Sequence, residues 1–472
     1  MSPDFTRNVA RFVDERWETS IVPALCDYVR IPNKSPAFDP EWQERGHMTR
    51  AVRLLESWAA ACGVAGLTTE VITLPERTPL LLAEVPSTGG SGTVLLYGHY
   101  DKQPEFDGWE PDLDPWEPVI RDHRLYGRGG ADDGYAMFGS LTAIAALEAE
   151  GVPHGRCVVL IEGCEESGSF DLPSYMKALR ERIGQPDLVV CLDAECGNYE
   201  QLWVTSSLRG MLPGVLSVDV LEQGQHSGAA GGIVPSSFRL LRAVMDRLED
   251  PHTGALHPAL HVAIPDGVRD QLTGVARTLG NTVTDRFPWI EGVQAESSDP
   301  VELLLNNAWR PSLATVGLGG APGIRDAGNT LRPGTSAKLV FRLPPTLDAA
   351  RAAEVIEREL ERDPPHGARV RFEPEAPQTG WKAPDPAPWL AAAVAQASQA
   401  HFGAPVRYMG MGGTIPFMNM LSDAYPDVQF LVTGVLGPGS NAHGPNEFLH
   451  LPTAKRLTAC VAGVIAALGQ AP

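Results

Sequence analysis

Val94-Leu95-Leu96-Tyr97-Gly98-His99-Tyr100-Asp101 joins a short apolar run directly to a stretch carrying an imidazole and a carboxylate. So brief a run, flanked by polar turns, reads as a strand buried on both faces. Three more such runs stand at 158–161, 188–192 and 430–435. Polar residues follow each of them: Glu162 to Glu166, Asp193-Ala194-Glu195, and Gly437 to Glu447. Helical patterns such as 136–149 separate the runs, which predicts parallel strands in an α/β domain. In open α/β sheets, ligands gather outside the carboxyl ends of the strands. The titratable residues of this chain sit at those ends.

Working outward, residues 5–28 and 47–61 repeat apolar positions at helical spacing. From 203 to 379 the texture changes. Residues 215–220, 337–341 and 369–372 read as strands there, and 236–248 and 347–362 as amphipathic helices. The expected organisation is a larger domain, 1–202 and 380–472, whose mostly parallel sheet is flanked by helices. A smaller α+β domain, 203–379, is inserted into it. A length of 472 residues agrees with more than one core.

Lys and Arg total 38 against 58 Asp and Glu, a net charge of −20, which argues against nucleic acid or an anionic membrane as partner. Hydrophobic residues at 43% and charged residues at 20% describe a packed globular chain. The charged stretch from Met1 to Thr19 does not read as a secretory signal, and no run approaches the roughly 18 apolar residues of a membrane span. Seven cysteines without a CxxC pair suggest a reducing compartment, so the expected location is the cytoplasm. His154 and His401, like the other scattered histidines, read as surface or loop residues.

The chemistry is concentrated in five pieces. His99 offers a ring nitrogen to a metal while Asp101 orients it, although a histidine at a strand end is often structural. In Gly127-Arg128-Gly129-Gly130-Ala131-Asp132-Asp133-Gly134, the paired aspartates repel unless solvated or bridged by cations. The alternative is a solvated turn capping the helix that starts near Tyr135. In Glu162-Gly163-Cys164-Glu165-Glu166-Ser167-Gly168, one carboxylate can bind metal while its neighbour shuttles a proton. An acidic loop of an acidic protein remains the alternative. Asp193 ends a strand, and Ser440-Asn441-Ala442-His443-Gly444-Pro445-Asn446-Glu447 supplies a late histidine. Together, two histidines and three carboxylates suit two divalent ions with one carboxylate bridging. Ions about 3.5–4 Å apart share a hydroxide that attacks a carbonyl at neutral pH. No GxSxG elbow is present, which argues against a serine hydrolase.

These stretches resemble the M20 family of co-catalytic metallopeptidases, in which carnosinase-type dipeptidases stand beside glutamate carboxypeptidase, succinyl-diaminopimelate desuccinylase and aminoacylase. The matching segments are YGHYD (97–101), GRGGADDG (127–134), EGCEESGS (162–169), LDAE (192–195), QHSG (225–228), GGTIP (412–416) and SNAHGPNE (440–447). They follow the family order, and the last one and GGTIP are closest to the dipeptidase branch. The resemblance implies a zinc-peptidase-like catalytic domain with an inserted dimerisation and lid domain. It implies that Asp132 bridges two divalent ions, zinc or else manganese or cobalt. His99 and Asp193 complete one site, Glu166 and His443 the other. Glu165 is then the general base and Asp101 steadies His99.

In a homodimer formed through the inserted domain, His226 reaches the other subunit's site and stabilises the oxyanion. Arg342 holds a substrate carboxylate, with Gly413, Thr414, Asn329 and Thr330 also facing the cleft. The implied reaction is hydrolysis of a small peptide by a metallo-dipeptidase or carboxypeptidase. Gly410-Met411 stands where relatives often carry an Arg-Glu pair, making the pocket wall less charged. The alternative substrate is therefore an N-acyl or N-carbamoyl amino acid.

Overall fold

In a computed structural model, which describes residues 2–470, the main sheet has six strands. Their order is Thr68–Ile72, Leu80–Val85, Arg156–Glu162, Thr93–His99, Leu188–Cys191 and Gln429–Val432. The last four contain the apolar runs of the sequence and pair in parallel. The first two form an antiparallel edge whose outer strand is half exposed, so no continuous apolar run announced it.

The inner strands are apolar at every position because both faces are covered. Val94, Leu96, Val159 and Val190 face one core, which is roofed by helices Ala136–Ala149 and Leu451–Gly469. Leu95, Tyr97, Val158 and Val189 face the other, where Tyr175 and Phe417 close the packing. Helix His47–Ala61 adds Met48, Val52 and Leu55 to the first core. The final helix, Leu451–Gly469, is long and apolar enough to cross a membrane, which the sequence reading had not anticipated. It carries Lys455 and Arg456, and 78% of it is buried in this core.

A second, antiparallel sheet runs in the order Ser312–Gly319, Gly334–Leu343, Gly210–Asp219, Arg369–Pro374. Alternate residues of its two long strands are buried, and that face packs on helices Ser237–Met245 and Ala349–Glu361. Between the two units, Trp203–Leu208 pairs in parallel with Arg407–Met411 and antiparallel with Trp381–Lys382. Helices Asp266–Leu279 and Pro300–Ala308 pack around Trp203 and Met409 beside this small sheet. His154 departs from the surface reading: it is fully buried, with Nδ1 2.7 Å from the Gly155 carbonyl. All seven cysteines are free.

Candidate metal centre

Strand register assembles the site. His99 closes its strand directly opposite Glu162, and Tyr97 lies opposite Cys191, two residues before Asp193. His99 and Asp193 therefore emerge at neighbouring strand ends. Glu165 and Glu166 begin a single turn of 3-10 helix just beyond Glu162. Asp132 sits in the irregular turn Gly130–Gly134 that leads into Ala136–Ala149. His443 adopts a positive φ of 63°, as do Asn441 and Asn446, so the loop 440–447 curls back over the sheet end.

Asp132 stands between two groups of donors. Its Oδ1 is 3.3 Å from His99 Nε2, and Asp193 Oδ2 is 3.9 Å from the same nitrogen. Its Oδ2 is 3.0 Å from His443 Nε2, which is also 3.3 Å from Glu166 Oε2. Ligand atoms of His99, Glu165 and Asp193 also lie within 4.8 Å of one another, as do those of His99, Asp132 and Glu166. Five separated segments thus converge on one point.

The donor set fits divalent cations. His99 Nδ1 is 3.1 Å from the Asp101 carbonyl, which can only accept, so a neutral ring carries its proton on Nδ1 and would offer the Nε2 lone pair to a cation. Nε2 faces carboxylate oxygens, and without a cation there burial opposes a charge on the ring but Asp101, Asp132 and Asp193 outweigh it, holding the His99 pKa well above its ordinary value. His99 Nε2 and Glu166 Oε1 are both buried without a hydrogen-bond partner.

The shifted pKa values of the carboxyl groups reflect the same crowding. Burial works against the Asp132 charge, yet His443 and His99 outweigh it and hold the carboxyl below its ordinary range. Burial lifts Asp193 to about 6, opposed by His99 and reinforced by Asp132. Burial pushes Glu165 and Glu166 well above the usual carboxylate range, Asp193 adding to the first and Asp132 to the second. Cations between these groups would relieve all of it.

Support comes from residues that do not face the gap. Asp101 accepts the backbone N–H of Glu165 at 3.1 Å and of Glu166 at 3.0 Å, and its Oδ1 is 3.4 Å from His99 Nδ1. One carboxylate thereby fixes three members of the centre. Gln103, which sequence reading missed, donates to Glu166 Oε2 at 2.5 Å. Arg128 and Glu447 were quoted in motifs but given no role. They form a fully buried ion pair.

The remaining candidates divide into two places. Gly413 and Thr414 line the cavity that contains Asp132, Glu165, Asp193 and His443. Arg342 reaches this corner by donating to Thr414 Oγ1 at 3.3 Å, and Thr414 in turn donates to the Arg209 carbonyl at 2.5 Å. His226, Asn329 and Thr330 lie together elsewhere. His226 pairs with Thr330 in a two-residue ladder, Ser227 N donates to the Asn329 carbonyl at 2.9 Å, and all three residues are exposed. None of the three lines the cavity at Asp132.

Residues 95–467, which hold every member of the centre, match the profile of peptidase family M20/M25/M40. The chain belongs to this family. It is a hydrolase of the peptidase class, and M20 peptidases are metal-dependent, in agreement with the donors found here. This M20 chain is 28% identical over 375 residues to a cysteinylglycine-S-conjugate dipeptidase of Corynebacterium striatum, covering 76% of the present chain and 77% of that protein. It is 27% identical over 380 residues to the Beta-Ala-His dipeptidase of Homo sapiens, covering 76% and 72%. Its fold superimposes on the di-peptidase Dug1p of Saccharomyces cerevisiae with a TM-score of 0.81 and 22% identity, over 100% of both chains.

Proposed function

We propose that this M20 peptidase is a two-metal dipeptidase acting on small peptides, with Asp132 shared between the ions. The observation that carries this reading is Asp132 itself, whose two oxygens face two different imidazoles at 3.3 and 3.0 Å. The dipeptidase names of the relatives support the substrate class. His99, Asp132 and Asp193 would hold one ion, and Asp132, Glu166 and His443 the other. Zinc suits the set best, while manganese and cobalt are also accommodated. Divalent ions there would polarise the scissile carbonyl and bring the pKa of a water to about 7.

The protein's own groups do the rest. Glu165 takes the proton of the attacking water and passes it to the leaving amine, a task suited to a carboxyl that burial raises above its usual range. Asp101 keeps His99 in its tautomer and anchors the Glu165–Glu166 backbone. Arg342, with Thr414 Oγ1 and the Gly413 backbone, receives the substrate carboxylate, for which a guanidinium fork is well shaped. His226, beside Asn329 and Thr330, serves the centre of a second copy in a homodimer built through the inserted unit, 203–379. There its imidazole donates to the developing oxyanion. Free cysteines support a cytoplasmic setting.

Met411, a neutral residue lining the cavity at Asp132, favours a second reading in which the substrate is an N-acyl or N-carbamoyl amino acid. The experiment is to strip the protein of metal, reload it, and compare dipeptides with N-acyl and N-carbamoyl amino acids. Metal-dependent turnover of dipeptides supports the first reading, turnover confined to the blocked amino acids the second. Failure on both classes contradicts the proposal.

A further inference from the structure

A second chamber opens beside the cavity at Asp132, and the two share Glu195, Arg286 and Phe287 as a common wall. The chamber has a volume of about 290 Å³. Its lining is dominated by Leu279, Val283, Phe287, Leu303, Leu304 and Met409. An apolar cavity of roughly 150 Å³ is enough for benzene, so this one has room for a ring system of indole size.

The polar groups around it are already engaged. Glu195 and Arg286 face each other at 3.8 Å in the shared wall. Arg209 is buried, and it donates to the Gly412 carbonyl at 3.2 Å, Ser312 Oγ at 3.0 Å, and the Asn306 and Arg310 carbonyls at 3.4 Å. Glu296 stands at the exposed rim. Glu195 and Arg286 offset each other, whereas the bonds of the buried Arg209 go to backbone and hydroxyl oxygens only.

Two further features shape the chamber wall. Gly410 lines it, and a Cβ there would lie 2.5 Å from Ser207 Oγ and 2.8 Å from Ala308 Cβ, so this stretch of wall packs closely on the residues behind it. On the opposite side, Trp289 Nε1 donates to the Thr284 carbonyl at 2.7 Å, and its ring meets Phe287 edge-on at 6.1 Å. This brace holds two aromatic side chains at 47% and 45% exposure, where burial by an occupant would be favourable.

We propose that this chamber is the specificity pocket of the enzyme and receives a bulky aromatic group of the substrate. The inference rests on the reading of the neighbouring centre as a peptide hydrolase and adds its substrate class. The shared wall of Glu195, Arg286 and Phe287 places the chamber next to the cavity that contains Asp132 and Glu165.

The test uses the metal-loaded full-length protein with glycylglycine, phenylalanylglycine and glycylphenylalanine. N-acetyl-L-tryptophanamide serves as a neutral probe whose binding is read without turnover. The wild type should prefer one phenylalanine dipeptide over glycylglycine by about 100-fold in kcat/KM. Ala295→Trp and, separately, Thr282→Trp fill the chamber from part-exposed lining positions. Each should cut that preference, and the affinity for the probe, by about tenfold or more. Preference and probe affinity unchanged in both variants would overturn the proposal. Probe binding that is lost in the variants, in a wild type that cleaves none of the three dipeptides, would support the chamber and overturn the peptidase reading instead.

Discussion

Arg128 and Glu447 form an ion pair at 2.6 Å that is closed to solvent on both sides. The partners lie 319 positions apart, one in the loop of Asp132 and the other in the loop of His443. Glu447 also accepts the backbone N–H groups of Gly129 at 2.9 Å and Ala131 at 3.4 Å, while Arg128 donates to the Gly444 carbonyl at 2.6 Å. The two loops are thus one unit, and that unit sets the 3.0 Å approach of His443 to Asp132.

Glu447→Gln leaves a buried guanidinium without its counter-charge, a change that costs about 3–5 kcal/mol. The variant should unfold at a lower urea concentration. It should also bind divalent metal about 10–100-fold more weakly, the usual effect of losing a group that orients ligands. Wild-type metal affinity in a folded variant would show that the pair stabilises without positioning.

Glu165→Gln should separate binding from chemistry. The substitution keeps the shape but removes the base, so kcat should fall about 1000-fold while metal content stays at the wild-type value. Atomic absorption and steady-state kinetics on the same preparation give both answers. A retained rate would exclude Glu165 as the base.

Glu162 yields a pH-dependence of stability. Burial raises its carboxyl from 4.5 to about 7, with Tyr97 and Ser169 donating to Oε1 at 2.7 and 2.9 Å. The folded state therefore holds a proton that the unfolded chain releases at lower pH. Its favourable contribution is complete below about pH 4.5 and is lost as pH rises toward 7, up to about 3 kcal/mol. Glu162→Gln, which cannot ionise, should gain stability relative to the wild type at pH 8 compared with pH 5. Equal differences at the two pH values, by urea denaturation, would contradict this.

His226→Ala tests whether the inserted unit contributes to catalysis. A donor to the oxyanion acts only in the transition state, so kcat should fall about 100–1000-fold with little change in KM. The variant's oligomeric state, read by light scattering, must match the wild type. An unchanged kcat would remove His226 from the reaction.

The main sheet was legible because its inner strands are covered on both faces, which leaves continuous apolar runs such as 94–97. Helix 47–61 was legible from the helical spacing of its one buried face, and 136–149 from burial almost all round. Ser312–Gly319 was not: it is a glycine-bearing edge strand, mostly exposed or half exposed, and edge strands carry little apolar pattern. Among the site residues, His99 and Asp193 stood out because they end apolar strands. Gln103, Arg128 and Glu447 did not, since their work depends on partners distant in sequence, and a buried ion pair has no local signature. The chamber beside the centre is likewise built mostly from segments, 279–312 and 409–410, that lie outside the quoted motifs, with Glu195 of LDAE as the exception.

The central claim is that Asp132 serves two cation sites at once, and metal stoichiometry tests it most directly. After exhaustive dialysis, elemental analysis should find two divalent ions per wild-type chain and close to none in a folded Asp132→Ala variant. An Asp132→Ala protein that still holds two ions would contradict the account.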